Sequence, residues 1–148
     1  GENNIYTPGH TRIIKMLKGW KICPLICYDL RFPVWSRNFV TEDTSLAFDV
    51  LIYIANWPAK RASAWYPLLQ ARAIENLSYS IGVNRTGIDG NDVEYCGGSG
   101  VVNPKGEWEF FIDKEEGLES VDLNASELNR IREKFPAFLD SDPFNILN

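Results

Sequence analysis

The chain has 148 residues, of which 45% are hydrophobic, 24% charged and 13% aromatic. That is the length and composition of one ordinary globular domain and excludes a disordered chain, while the formal net charge of −5 disfavours a nucleic-acid or anionic-membrane surface. No run approaches the roughly 18–20 apolar residues of a membrane span, no secretory leader pattern opens the chain, and three cysteines are too few for a disulfide framework, which points to a reducing, cytoplasmic setting.

The elements alternate. Thr11–Leu17 and Trp20–Cys27 are apolar runs separated by Lys18-Gly19 and predict a hairpin. Phe32–Val40, with proline in its first turn, predicts a helix. Asp49–Ala55 has no polar alternation and reads as a strand covered on both faces. Ala62–Tyr79 carries Trp65, Leu68, Leu69, Ala73 and Leu77 at helical spacing, and Ser80–Arg85 is a further strand. From Thr86 to Gly100 the residues turn to Gly, Asp, Asn and Ser, as in a long surface loop. Ser99–Val102 and Glu107–Ile112 flank a turn at Asn103–Gly106 and predict a second hairpin. Leu118–Leu123 reads as a strand, and Asn124 or Ser126 caps a helix running to about Phe135, after which the tail is irregular. Strands alternating with helices give an α/β layered domain over residues 1–148, with mixed sheets and ligand sites at strand carboxyl ends. The chain opens Gly-Glu-Asn-Asn and its one methionine is Met16, so we expect a piece of a longer protein.

Those strand ends are Cys27-Tyr28-Asp29, Asn56-Trp57-Pro58 and Asn84-Arg85-Thr86. Cys27 sits where an apolar run turns toward a helix, so backbone N–H groups can lower a thiolate's pKa and stabilise an oxyanion. A buried, inert thiol is the other reading of the same position. Cys23 and Cys27, taken as one strand face, are about 13 Å apart, too far for a disulfide or one zinc ion. Cys96 falls in the glycine-rich loop, and His10 lies beside a Pro-Gly turn and reads as surface.

The segments PLICYDLRFPVWSRN, DVLIYIANWPAKRASAWYPLLQARAIENLSYSIGVNRTG and GGSGVVNPKGEW, in that order, resemble the carbon–nitrogen hydrolase (nitrilase) superfamily, and within it the ω-amidase-like branch. The resemblance implies an αββα four-layer sandwich, of which we expect only the C-terminal part here, with the N-terminal half of the same domain as its partner. It further implies a Glu-Lys-Cys triad in which Cys27 attacks an amide carbon, ammonia leaves and water hydrolyses the thioester. The Tyr28 N–H assists at the oxyanion. No metal or organic cofactor is implied. The base glutamate and triad lysine belong to segments that precede the equivalent of Gly1, while Glu2, ahead of Tyr6 and Gly9, matches a further glutamate that orients lysine and substrate.

Trp57 and Asn56 are candidate substrate contacts, Trp57 either walling the pocket or closing the core. Asp29 with Arg31, and Arg72 with Glu75, read as scaffold around the turn. Asn84 and Arg85 border the pocket or lie on the surface; spacing does not separate the two. Trp35, Phe39, Trp65 and Tyr66 load two helices that the resemblance places at a homodimer interface, and ordinary core packing is the other reading of the same aromatics. The expected reaction is hydrolysis of a small carboxamide, an ω-amide of a short dicarboxylic 2-oxo acid, with Arg31, Lys60 or Arg61 meeting the substrate carboxylate. A non-catalytic interaction module and a cysteine redox sensor are the alternatives.

Overall fold

The computed structural model describes residues 4–7 and 9–144. Among these residues the frame is six strand pairings, two of them parallel and four antiparallel. β1 (Lys15–Leu17) and β2 (Trp20–Ile26) form the first hairpin with Leu17 opposite Trp20. Lys18 and Gly19 both have positive φ, 48° and 86°, which matches the twist of a two-residue hairpin turn. β2 runs parallel to β3 (Val50–Ala55), and β3 runs parallel to β4 (Tyr79–Asn84). The crossover between β3 and β4 is α1-independent and carried by the helix Ala62–Asn76, named α2 below; α1 is the single turn Pro33–Ser36. β6 (Glu94–Val102) then pairs antiparallel with β4, and β5 (Thr86–Ile88) and β7 (Trp108–Asp113) pair with β6. Among the described residues these make one seven-stranded mixed sheet, and α3 (Ala125–Lys134) closes the order.

One sheet face is fully covered. Trp65, Leu69 and Ala73 of α2 pack on Cys23, Leu25, Leu51 and Tyr53, the alternate residues of β2 and β3. The other face is covered at one end only. There Leu128 of α3, with Val121 and Leu123, lies against Val50, Ile22, Ile52 and Ile81. Toward the strand carboxyl ends the same face leaves Ile26 71%, Ile54 60% and Val83 46% exposed. Of the four layers expected, the described residues hold one sheet and one helical layer, with α3 over part of the second face. A second sheet is not among them.

Arg132 fastens α3 to the amino ends of the parallel strands. Its guanidinium pairs with Asp49 at 2.7 Å and donates to the Phe48 and Leu77 carbonyls, each at 2.9 Å. Asp49 in turn accepts from the Lys21 N–H at 2.9 Å. Asn124 caps α3 as expected, its side chain accepting from Glu127 N–H at 2.9 Å.

Five expectations are corrected. The helix over Phe32–Val40 is only Pro33–Ser36, because Asn38 is taken by tertiary bonds: its N–H donates to Asn76 Oδ1 at 2.7 Å and its carboxamide to the Phe48 carbonyl at 2.8 Å. The long helix stops at Asn76, where Leu77 turns left-handed at φ 45°. Thr86–Gly100 is largely strand rather than loop. A Cβ at Gly98 would lie 2.7 Å from the Tyr66 ring, and one at Gly100 would lie 2.5 Å from the Phe110 carbonyl, so the glycines permit close packing inside β6. Leu118–Leu123 joins no ladder, and Leu118 is 96% exposed. The aromatic group proposed for an interface also divides, since Trp65 is 1% exposed and belongs to the core.

Candidate active site

The parallel register brings three strand ends into one row. Ile26 faces Ile54, Ile54 faces Val83, and Ala55 faces Asn84. Cys27, Asn56-Trp57 and Arg85 are the residues that leave the sheet there. This is the carboxyl edge of the parallel strands, where ligands of such sheets bind.

Cys27 opens a 3₁₀ turn, Cys27–Arg31, directly from β2. Its φ is 36°, a left-handed conformation that costs a non-glycine residue about 1–3 kcal/mol and persists only where the surroundings enforce it. The enforcing bonds are visible. Asp29 Oδ2 accepts from the Ile26 N–H at 2.9 Å, closing the turn on its own first residue. Ser36 donates to the Asp29 carbonyl at 3.3 Å and accepts from the Tyr53 hydroxyl at 3.0 Å. From α2, Arg72 reaches the Leu30 carbonyl at 2.7 Å while paired with Glu75 at 2.9 Å. The Arg72–Glu75 pair is therefore scaffold, as its spacing suggested; Asp29 holds the turn through the Ile26 N–H rather than with Arg31, which lies over the Trp57 ring. Cys27 is half-buried against the core cluster that contains Trp57.

Cys23 differs in kind. It lies in β2 itself, fully buried, and burial pushes its thiol up to about 11, with Arg12 opposing and Asp29 adding to the rise. The two cysteines do not share a strand face, because Cys27 has already left the strand. Cys96 stands in β6 opposite Thr86, not in a loop. His10 is exposed near the start of the described chain. Glu2 lies outside the described residues.

Trp57 is 3% exposed, so it closes the core, in the cluster against which Cys27 packs. Its indole donates to the Arg61 carbonyl at 2.8 Å and packs 5.3 Å from the Trp65 ring, while the Arg31 guanidinium lies 4.8 Å from its ring centroid. Asn56 is exposed beside it. Tyr28 is 60% exposed, with its ring edge-on to Phe32 at 5.0 Å.

Sequence reasoning left Asn84 between pocket border and surface, and it is neither: it is the buried residue that joins these loops. Asn84 is buried, and its side chain accepts from Trp57 N–H at 2.7 Å and donates to the Trp57 carbonyl at 3.1 Å and the Gly97 carbonyl at 2.7 Å. The signal available was a carboxamide ending an apolar buried strand, where it must find partners. Tyr95 was missed by the sequence reading. Its hydroxyl donates to Asp89 at 3.0 Å, and the Arg85 guanidinium sits 4.7 Å from its ring centroid. That bond to Asp89 is the chief cause raising the Tyr95 pKa; burial and the charges of Asp89 and Cys27 add to it, and Arg85 opposes it. Among the described residues, no group of three or more His, Cys, Asp or Glu side chains gathers as a metal site.

The carbon–nitrogen hydrolase family matches the chain over residues 2–133. An ω-amidase of Escherichia coli, YafV, is 47% identical over 142 residues, covering 95% of this chain and 53% of its own length. A CN-hydrolase superfamily protein of Xanthomonas campestris, solved with an arsenic adduct in its active site, is 43% identical with a TM-score of 0.93, covering 95% of this chain and 54% of that one. An amidase of Nesterenkonia, solved after Michael addition of acrylamide at its active-site cysteine, is 28% identical with a TM-score of 0.71, covering 91% and 52%. The chain thus spans about half the length of the relatives it matches.

Proposed function

The chain belongs to the carbon–nitrogen hydrolase family, and on that premise we propose that it carries the nucleophile of an amidase acting on small ω-amides. The observation that carries the reading is the left-handed Cys27 at the carboxyl edge of the parallel strands, held there by Asp29 and by the Arg72 contact to Leu30. Cys27 Sγ bonds to the amide carbon as the C–N bond breaks, and the nitrogen takes a proton and leaves as ammonia. Water then adds to the thioester carbon, releasing the carboxylic acid and returning the proton to sulfur. The Tyr28 N–H is the proposed backbone donor to the oxyanion, Trp57 and Asn56 border the substrate, and Glu2 is the orienting carboxylate implied by the sequence resemblance.

The general base and the oxyanion lysine are proposed to come from residues outside these 148. Two observations support this: the chain spans about half the length of its relatives, and Ile26, Ile54 and Val83 leave an apolar sheet face open beside Cys27. A second sheet laid on that face would complete the sandwich and bring its side chains to the cysteine. The substrate class follows from the ω-amidase likeness.

The test is a cysteine series in the full-length protein, scored by ammonia release from a small ω-amide at matched folded fraction. Cys27→Ala loses several orders of magnitude in rate, whereas Cys23→Ala and Cys96→Ala retain substantial activity. Equal losses at Cys23 and Cys27 would overturn the assignment.

A further inference from the structure

Resting on the reading of Cys27 as the nucleophile, we infer that Tyr53 is a positioning residue for it, acting from inside the core through Ser36 and Asp29. Tyr53 lies in β3, opposite Leu25 of β2 and Gly82 of β4. It shares a sheet face with Leu51 and Ala55, and all three are buried in the cluster under α2. A phenylalanine would fill that place with the same ring. The hydroxyl it would lack is costly to bury unless bonded, so its one partner shows its use.

The bonds run in one direction. The Asp29 carbonyl can only accept, so the Ser36 hydroxyl gives its single proton there, at 3.3 Å. Ser36 therefore accepts from Tyr53, whose hydroxyl donates at 3.0 Å. Burial pushes the Tyr53 phenol above its ordinary range, so the donated proton stays in place. Ser36 is fully buried at the end of α1.

This chain of bonds ends on the residue that brackets the cysteine. Asp29 takes the Ile26 N–H on its carboxylate at 2.9 Å, and the Phe32 N–H at 3.0 Å and the Ser36 hydroxyl on its carbonyl. Cys27, at φ 36°, lies between Ile26 and Asp29. A left-handed residue other than glycine stays so only where its surroundings over-determine it. Tyr53 ties that turn to the middle of the sheet, and an error of about 1 Å in the sulfur's place is enough to slow attack.

Tyr79 is a matched comparison. It is 3% exposed on the next strand, β4, and its hydroxyl is bonded as well, accepting from the Asn124 N–H at 3.2 Å. It pairs with Val50, at the α3 end of the strands and away from Cys27.

The test uses the full-length protein and the monoamide of succinic acid, with kcat and KM read from ammonia release at matched folded fraction. Tyr53→Phe and Ser36→Ala each lower kcat about 3- to 10-fold, the worth of one buried hydrogen bond, and leave KM within about twofold. The double variant falls no further than Ser36→Ala, because the two hydroxyls act in series. Tyr79→Phe lowers the urea midpoint but leaves kcat unchanged. An unchanged kcat in Tyr53→Phe, an equal loss in Tyr79→Phe, or a double variant that loses the product of the two single losses overturns the inference. If Tyr53→Phe does not fold, Ser36→Ala decides by the same comparison with Tyr79→Phe. Failure of the underlying reading looks different: the unmutated protein would release no ammonia, or Cys27→Ala would keep its activity.

Discussion

The packing of α2 on the sheet can be tested at one atom. A Cβ added at Gly82 would lie 2.5 Å from Leu69 Cδ1 and 2.7 Å from Trp65 Cζ2. Carbon atoms rest at about 3.5–4.0 Å, so a neighbour must retreat by about 1 Å. Neither has room. Leu69 is fully buried, and Trp65 is pinned by its indole N–H to the Gly98 carbonyl at 2.7 Å. Gly82→Ala is therefore an overpacking change costing about 1–3 kcal/mol. Leu69→Ala alone removes buried methyl groups and costs about 2–5 kcal/mol. Combined, the new methyl occupies part of the space Leu69 vacates, so the double variant is less destabilised than the sum by at least about 1 kcal/mol. Urea denaturation reads this directly, as shifts in the transition midpoint at unchanged slope. A neutral Gly82→Ala, or a strictly additive double variant, would refute the packing argument.

Two further outcomes are expected. Cys23 has its pKa raised to about 11 by burial, so the folded state holds its proton more tightly than the unfolded chain does; that stabilisation is complete below about pH 9 and is lost as pH rises through 11. Denaturation midpoints between pH 8 and 11 should show the decline, and Cys23→Ala should lessen it; an identical decline in that variant would count against the assignment. These 148 residues expressed alone release no measurable ammonia from a small amide. A missing general base costs about 10²–10⁴-fold and a missing oxyanion donor about 10²–10³-fold, and turnover at the full-length rate would refute the proposal that both come from elsewhere.

What could be read from the sequence was local. The Lys18-Gly19 turn, the apolar run of β3, the Asn103–Gly106 turn and the Asn124 cap each declare themselves within a few residues, and each is present. The turn at Cys27 was legible for the same reason, since strand, turn and helix signals meet around it, while the nucleophile reading of its thiol rests on the resemblance. The failures needed the third dimension. Gly98 and Gly100 suggest a loop until Tyr66 and Trp108 are seen lying where their side chains would be. Asn38 looks like helix surface until Asn76, 38 residues away, takes its N–H. Asn84 bonds to residues 27 and 13 positions distant, so no window of the sequence could show it binding two loops beside the cysteine.

The Arg132 clasp on Phe48, Asp49 and Leu77 and the Cys27 turn occupy opposite ends of the same strands. Endurance and chemistry are thereby assigned to separate territories, with β2, β3 and β4 as the rigid ground between them. Erosion at the clasp shortens how long the molecule survives while leaving its selectivity intact. At the far edge the two are not fully apart, since Trp57 and Asn84 are buried there and hold the loops beside the Cys27 turn.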